Sequence, residues 1–248
     1  MALNPDDLER YGRQILFKPL GRKGQERLAA IHALVAGVGG LGSPLAMYLT
    51  VAGVGEITLA DFDTVTLSNL NRQLLHGDGD MGRRKVLSAK AKLTGLNPTI
   101  KVHAIPEKIT PKTCESLLDS VDIVVDCLDN MASRYTLNRA CVRWKIPLVH
   151  GGVYGLMGQL TTIIPGRTPC LECIFPRKKT TPGPIPVFGA TAGFIASLQA
   201  LEAIKLITGI GKNLAGRLLY FNAEVMECVV SDFKKNPNCP VCRDTKAS

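Results

Sequence analysis

Three sets of residues in this chain have types and spacing suited to chemistry, and the first is Gly37-Val38-Gly39-Gly40-Leu41-Gly42. It follows an apolar run and precedes a helix-like stretch. Glycines at 37, 39 and 42 let a backbone turn approach phosphates while the helix N-terminus faces their negative charge. Asp61, about 20 residues further on at the end of the next apolar run, stands where a carboxylate accepts hydrogen bonds from ribose hydroxyls. By itself the turn specifies a nucleotide without naming it, and a packing turn with no ligand is the competing reading.

The second set narrows the choice. After Asp61-Phe62-Asp63 come Ser68-Asn69-Leu70-Asn71-Arg72-Gln73 and Gly82-Arg83-Arg84-Lys85. Asn69, Arg72 and Lys85 supply polar and cationic groups able to neutralise a triphosphate, and Arg72 offers the bidentate geometry that phosphate oxygens favour. A dehydrogenase has no use for that density of cations; the remaining alternative is a solvated basic surface. Further along, Ile123-Val124-Val125 ends in Asp126-Cys127-Leu128-Asp129-Asn130. Ligands gather at the carboxyl ends of strands in open α/β sheets, so Asp129 is placed to hold Mg²⁺ with a hard oxygen ligand. Capping the next helix is the competing role for Asp129 or Asn130, and the two are compatible.

The third set is the cysteines. Cys170-Leu171-Glu172-Cys173 and Cys239-Pro240-Val241-Cys242 are C-x-x-C pairs about 65 residues apart. Four thiolates make a closed tetrahedral zinc site, structural because no coordination position stays open, with the metal pinning the C-terminal tail to the body of the fold. A redox dithiol is the alternative. Cys114, Cys127, Cys141 and Cys228 fall in apolar stretches and are expected to be buried small hydrophobes, not nucleophiles. His32, His76, His103 and His150 show no ligand spacing and are expected to be structural.

These residues need a scaffold, and from Ile31 to about Val149 short apolar runs alternate with longer helical stretches. Strands are expected at His32 to Val35, Glu56 to Ala60, Ile100 to Ile105, Asp122 to Cys127 and Pro147 to His150. The class is α/β: a Rossmann-like, mostly parallel sheet with helices on both faces. Ser43-Pro44 and Thr110-Pro111 read as N-caps followed by a first helical position, and Gly95 with Asn97-Pro98 as a helix stop. From Gly151 onward, Gly158 to Pro165 and Arg217 to Phe233 read as antiparallel strands flanking a helix from about Gly189 to Thr208. The segment Pro176 to Pro186 carries four prolines and Arg177-Lys178-Lys179, and is expected to be an exposed mobile loop, either crossing the active site or serving as a plain connection. The organisation is an N-terminal helical segment (1–30), a nucleotide-binding part (31–150) and a part with antiparallel strands, crossing loop and zinc-pinned tail (151–248).

Composition sets outer limits. With 46% hydrophobic and 21% charged residues the chain should fold around a sizeable core. Ala33 to Gly55 runs 23 residues without a charge, about the length of a membrane span, but its glycines and Pro44 suit a strand, a tight turn and a buried helix better. Met1 to Tyr11 is polar and acidic and does not read as a secretory signal, which points to the cytoplasm, where eight cysteines argue for metal or thiol chemistry and not disulfides. The net charge of +9 is weak evidence for an acidic partner, because Lys and Arg are spread along the chain.

Several motifs in one order carry a resemblance over nearly the whole chain: Arg10-Tyr11-Gly12-Arg13-Gln14-Ile15, the glycine turn, Asp61-Phe62-Asp63, Ser68-Asn69 with Arg72-Gln73, Lys85, Asp129-Asn130 and the two cysteine pairs. The chain resembles the adenylating enzymes related to ubiquitin-activating enzyme, in their MoeB/ThiF/HesA form. The resemblance implies that ATP and Mg²⁺ activate the C-terminal carboxylate of a small β-grasp sulfur-carrier protein ending in Gly-Gly, giving an acyl-adenylate and pyrophosphate for molybdopterin, thiamine or a related pathway. It implies that Gly40 contacts the nucleotide, Asp61 the ribose, Asn69, Arg72 and Lys85 the phosphates, and Asp129 the metal. Arg13 would reach the phosphate site of a neighbouring protomer, so a homodimer is implied. The chain departs from thioester- or persulfide-forming members of the family by having Thr180-Thr181-Pro182-Gly183 in place of a loop cysteine. That departure favours the type that stops at the adenylate and leaves sulfur delivery to a separate sulfurtransferase or cysteine desulfurase. Adenylation of a tRNA base or a small-molecule carboxylate is the alternative substrate class, and an NAD-dependent oxidoreductase rests on the glycine turn alone.

Overall fold

The computed structural model describes residues 3–177, 183 and 185–245. Three helices open it: α1 (Pro5–Arg10), α2 (Gly12–Ile15) and α3 (Gly21–Ala30). Strands and helices then alternate as β1 (His32–Ala36), α4 (Gly42–Ala52), β2 (Glu56–Ala60), α5 (Lys85–Leu96), β3 (Lys101–Ile105), α6 (Pro111–Leu117), β4 (Ile123–Asp126), α7 (Met131–Trp144) and β5 (Leu148–Tyr154). After β6 (Met157–Ile163) come α8 (Leu171–Ile174), α9 (Gly189–Thr208), β7 (Arg217–Asn222) and β8 (Glu227–Asp232). All eight strands form one sheet in the order β3-β2-β1-β4-β5-β6-β7-β8. The first five pair in parallel, and β5 through β8 pair antiparallel.

The central strands β1 and β4 are buried on both faces, which is why they read as continuous apolar runs and not as alternating ones. One core layer packs α4, α5 and α9 against the sheet through Leu45, Leu49, Val86, Leu93 and Ile195. The opposite layer packs α6, α7 and α8 through Leu117, Leu137, Cys141 and Leu171. The uncharged stretch 33–55 is thus a buried strand, a turn and a buried helix. Among the described residues α9 alone has the length and apolarity of a membrane span, yet it packs on β5 and β6. Its buried Glu202 accepts hydrogen bonds from Thr162 Oγ1 at 2.7 Å and Leu214 N at 2.6 Å, a satisfied polar group in a protein core.

Local expectations met different fates. Thr110 caps α6 by accepting from Thr113 N, and α5 stops at Leu96 with Asn97 behind it. Ser43 does not cap α4. The helix begins at Gly42, and the Ser43 hydroxyl, fully buried, donates to the Val38 carbonyl. Cys228 is exposed and not buried, because β8 is an edge strand with both faces open. The stretch Arg217 to Phe233 resolves into the hairpin β7–β8. Of the loop from Pro176 to Pro186, residues 178–182 and 184 lie outside the described residues, and with them the expected crossing segment and most of Thr180-Thr181-Pro182-Gly183.

Candidate active site

The sheet order reverses between β1 and β4, and the loops leaving these two strands diverge to open a crevice, where ligands of open α/β sheets bind. A cavity of about 560 Å³ occupies that position. The glycine turn forms one wall and Cys127 to Asn130 the other.

The turn owes its shape to two glycines. Gly37 has φ +92°, and a Cβ there would stand 2.7 Å from the Cys127 carbonyl oxygen. A Cβ at Gly42 would lie 1.9 Å from the Gly37 carbonyl oxygen, so only glycine lets α4 start this close to β1. Gly39 and Gly40 differ: added Cβ atoms would meet only Gln73 Nε2 at 3.6 Å, or Arg72 Cγ at 3.4 Å and Ala192 Cβ at 3.5 Å. The space these two leave belongs to the cavity, a cradle for a group larger than a methyl and next to the N-terminus of α4.

The peptide at Val38 is held from both ends. Its N–H donates to Asp61 Oδ2 at 2.8 Å, while its carbonyl lies 3.3 Å from His76 Nε2 and accepts from Ser43. Burial pushes the His76 imidazole below its ordinary pKa, against the pull of the Val38 carbonyl and of Asp80, so the neutral ring donates its Nε2–H to that carbonyl. Asp61 Oδ1 accepts from Asp63 N at 2.9 Å. Asp61 therefore shapes the turn as well as lining the cavity.

Lys85 lines the cavity from the first turn of α5, almost fully buried, with Nζ 2.8 Å from Asp63 Oδ2. Arg72 lines it as well, its Nη1 donating to the Ser68 carbonyl at 2.7 Å and Asn71 Oδ1 at 3.0 Å. Gln73 is buried in the lining with Oε1 lacking a partner. Asp129 is exposed at the rim, accepting only from Asn130 Nδ2 at 3.1 Å among the described residues. Asn130 caps α7 by accepting from Ser133 N at 2.9 Å, which frees Asp129 from the capping role. The cavity thus brings together Gly37, Gly39, Gly40, Asp61, Asp63, Arg72, Gln73, Lys85, Asp129 and Asn130.

Gly42, Ser68, Asn69 and Arg13 are not among its lining residues. Gly42 sits directly behind the turn. Asn69 Oδ1 accepts from Thr66 N at 3.2 Å in the loop that presents Arg72, and Ser68 is exposed beside it. Arg13 is exposed on α2, outside the cavity of its own chain.

Beneath the floor lies a polar cluster that motif reading missed. His150 Nδ1 donates to Asp126 Oδ2 at 2.7 Å, both fully buried, and Gln159 Nε2 approaches His150 Nε2 at 3.4 Å. Burial raises the Asp126 carboxyl, but Arg134, His150 and the Leu128 amide outweigh it and hold the group below the usual carboxylate range. Burial pushes the His150 imidazole down against the pull of Asp126, leaving a neutral ring. Cys127 also lines the cavity, and burial raises its thiol well above the ordinary range, as it does for Cys141; neither is a nucleophile. These side chains come from β4, α7, β5 and β6, so no sequence spacing reveals them.

At the far end of the chain the four cysteines converge. Their sulfurs lie within 4.8 Å of one another, with Cys170–Cys239 at 3.7 Å and Cys173–Cys242 at 3.5 Å. Thiolates about 2.3 Å from a central zinc ion stand about 3.8 Å apart in a tetrahedron, so the set fits that ion. The approaches run across the two motifs, whereas a redox dithiol pairs within one. The adjacent buried Asn138, whose Oδ1 accepts from Leu171 N, has its Nδ2 unpartnered, as suits a donor facing metal-bound sulfur. A more open trough of about 680 Å³ lies beside this tail, lined by Arg139, Arg143, Lys145 and Pro240 to Val241. It has no strand ends or glycine turn, and the adenylation-type residues are all elsewhere.

The chain is similar to known proteins over nearly its whole length. The chain is 43% identical over 241 residues to the vegetative HesA protein of Trichormus variabilis, covering 97% of this chain and 91% of that one. It is 40% identical over 255 residues to the sulfur carrier protein adenylyltransferase of Thermus thermophilus, covering 98% and 94%. Among solved structures, E. coli MccB with MccA-N7isoASN superposes with a TM-score of 0.87 at 24% identity, covering 96% of this chain and 75% of that chain. MccB with ATP superposes at 0.82 and 26% identity, covering 94% and 73%. The ThiF family model matches residues 11–241, and the chain belongs to that family.

Proposed function

We propose that the protein is an ATP-dependent adenylyltransferase that activates the C-terminal Gly-Gly carboxylate of a small ubiquitin-like sulfur-carrier protein. The observation that carries this reading is the convergence of the glycine turn, Arg72, Lys85 and Asp129 on one cavity at the carboxyl edge of the sheet. The kinship with an enzyme named for sulfur-carrier adenylylation supports the substrate class.

The residues divide the work. The turn and the N-terminus of α4 receive phosphate oxygens, and Asp61 offers its remaining lone pairs to ribose hydroxyls. Arg72 and Lys85 offset the negative charge that accumulates when an acceptor carboxylate displaces pyrophosphate at the α-phosphorus. Lys85 is held for this by Asp63, and Arg72 by the Ser68 carbonyl. No general base is required, because a carboxylate is ionised at neutral pH. Asp129 would hold Mg²⁺, which when bound supplies further charge neutralisation at the phosphates. The cysteines would hold a structural zinc. The exposed Arg13 serves the site of a second copy, so the working form is a homodimer, and sulfur arrives from a separate sulfurtransferase.

Carrier-dependent exchange of labelled pyrophosphate into ATP tests the proposal. Exchange stimulated by a Gly-Gly carrier, with the acyl-adenylate detected by mass spectrometry, is the expected result. Stimulation by tRNA and by none of a panel of carriers, or tight binding of NAD with no affinity for ATP, overturns it.

A further inference from the structure

Lys85, Ser88 and Lys92 follow one another at spacings of three and four residues and so share one face of α5. Lys85 lines the cavity, whereas Ser88, Lys92 and the nearby His76 do not. The last three form a row behind the glycine turn. Lys92 Nζ donates to Ser88 Oγ at 3.3 Å and to the Leu75 carbonyl at 2.6 Å, and it pairs with Asp80. Ser88 Oγ stands 3.0 Å from His76 Nδ1, and His76 Nε2 stands 3.3 Å from the Val38 carbonyl. Because a carbonyl only accepts, the neutral ring carries its proton on Nε2, and its Nδ1 lone pair accepts from the Ser88 hydroxyl. The hydroxyl's other acceptor, the Leu75 carbonyl at 3.4 Å, already takes a proton from Lys92. Every donor in the row then points the same way, from the Lys92 ammonium to the Val38 carbonyl.

That carbonyl shares a peptide unit with the Gly39 N–H, and in a trans unit the two point in opposite directions. His76 and the buried Ser43 both donate to it, which fills its two lone pairs. A flipped peptide would leave these buried groups without partners. The Gly39 N–H is thereby turned away from the row. Gly39 lines the cavity, and among the described residues its N–H meets no acceptor. Hydrogen bonds in a chain polarise one another, so donation to the Val38 carbonyl strengthens the Gly39 N–H as a donor.

We propose that His76 and Ser88, backed by Lys92, are positioning residues that aim the Gly39 N–H at a phosphate oxygen of the bound nucleotide. The inference rests on the reading of the cavity as an ATP site and names residues outside the cavity that set its affinity for phosphate. His76 touches no substrate and acts through the peptide.

Adenosine separates positioning from structure, because it has no phosphate for the Gly39 N–H to meet. Equilibrium binding of ATP and of adenosine to the full-length protein, with Tm measured alongside, tests the proposal in His76→Leu, His76→Gln and Ser88→Ala. His76→Leu removes the donor and should weaken ATP by about tenfold, roughly the effect of one hydrogen bond to a charged group, with adenosine within about twofold. His76→Gln keeps an N–H for the Val38 carbonyl and an oxygen for Ser88, and should recover most of the loss. Ser88→Ala removes the donor to Nδ1 and should weaken ATP by about threefold. Equal losses for ATP and adenosine that track Tm overturn the proposal in favour of a structural role. So does His76→Gln protein that melts like the native one yet binds ATP as weakly as His76→Leu. If His76→Leu does not fold, Ser88→Ala decides, and native ATP affinity in that variant overturns the proposal. Native protein that binds ATP while every variant matches it sinks this inference alone. Native protein that binds no ATP sinks the adenylation reading with it.

Discussion

Two glycines two residues apart in the turn should respond to alanine in opposite ways. At Gly42 the new methyl would stand 1.9 Å from the Gly37 carbonyl oxygen, while real contacts of this kind are essentially never below 3.0 Å. The start of α4 and the turn must then separate by about 1.1 Å in a close-packed interior. Overpacking of that size costs about 3 kcal/mol, which lowers Tm by about 6–12 °C in a chain of this length. At Gly40 the methyl meets nothing closer than 3.4 Å and the backbone has no positive φ. Gly40→Ala should leave stability unchanged or raise it by about 0.5 kcal/mol through the unfolded chain. Yet the methyl fills the cavity between Arg72 and Ala192, where a phosphate oxygen approaches the backbone. A tenfold loss of ATP affinity is about 1.4 kcal/mol. Thermal unfolding with and without Mg-ATP separates the two effects. At about 100 times the native Kd, ATP stabilises the native protein by about 2.7 kcal/mol, and a tenfold weaker variant by about half of that. The reasoning is refuted if Gly40→Ala melts as low as Gly42→Ala without ATP, or if it keeps the full ATP-induced shift.

Other outcomes follow from the same geometry. Lys85→Met should reduce exchange by about 10²-fold with Tm nearly unchanged, because its partner Asp63 is 44% exposed and water solvates it; a Tm loss matching the activity loss would assign Lys85 to stability. Arg13→Ala and Lys85→Met proteins, each inactive, should recover about a quarter of native activity when unfolded, mixed and refolded together, since a symmetric dimer with two composite sites then has one intact site in four. No recovery on mixing would place Arg13 outside the partner's site. Removing metal with a thiol-modifying reagent should release about one zinc per chain and raise hydrogen exchange in residues 170–174 and 236–245 before the glycine turn loosens; simultaneous loosening would contradict a merely pinning metal. Acid should destabilise the fold in two steps. His150 has its folded pKa below the ordinary 6.5, so the unfolded chain binds the extra proton. Its contribution is complete above that value and is lost as pH falls through the folded pKa. Asp126, also depressed from 3.8, contributes above its unfolded value and is lost at still lower pH. Urea midpoints should therefore rise from pH 5 to 7; a flat midpoint would show that the fold leaves the histidine unshifted, and a falling one that His150 is charged in the fold.

The glycine turn, the strands and the cysteine pairs were legible because each depends on local chemistry. A positive φ at Gly37 and a close approach at Gly42 admit only glycine, wherever the rest of the chain lies. The β4 run is buried on both faces and so reads as unbroken apolar sequence. The buried unit under the cavity was not legible: Asp126, Arg134, His150 and Gln159 come from four elements, and nothing in their spacing marks them. Arg134 reads locally as one more helix cation. Ser43 looked like an N-cap because it precedes Pro44, but the tight start of α4 turned its hydroxyl inward to Val38. Cys228 looked buried because its neighbours are apolar, whereas the sheet happens to end at its strand.

What the sequence by itself determined is the parts: a phosphate-binding turn, a set of cations and carboxylates, four thiols of metal-binding spacing, and the alternation that builds a parallel sheet. Those properties follow from backbone sterics and side-chain type over a few residues. Only the tertiary structure decided which parts share a cavity. The reversal of strand order between β1 and β4 brings Lys85 and Asp129 to the same crevice, and the tail after β8 brings Cys239 and Cys242 to Cys170 and Cys173. Such meetings depend on which faces of the sheet distant helices cover, and the free energy that selects them is spread through the whole core.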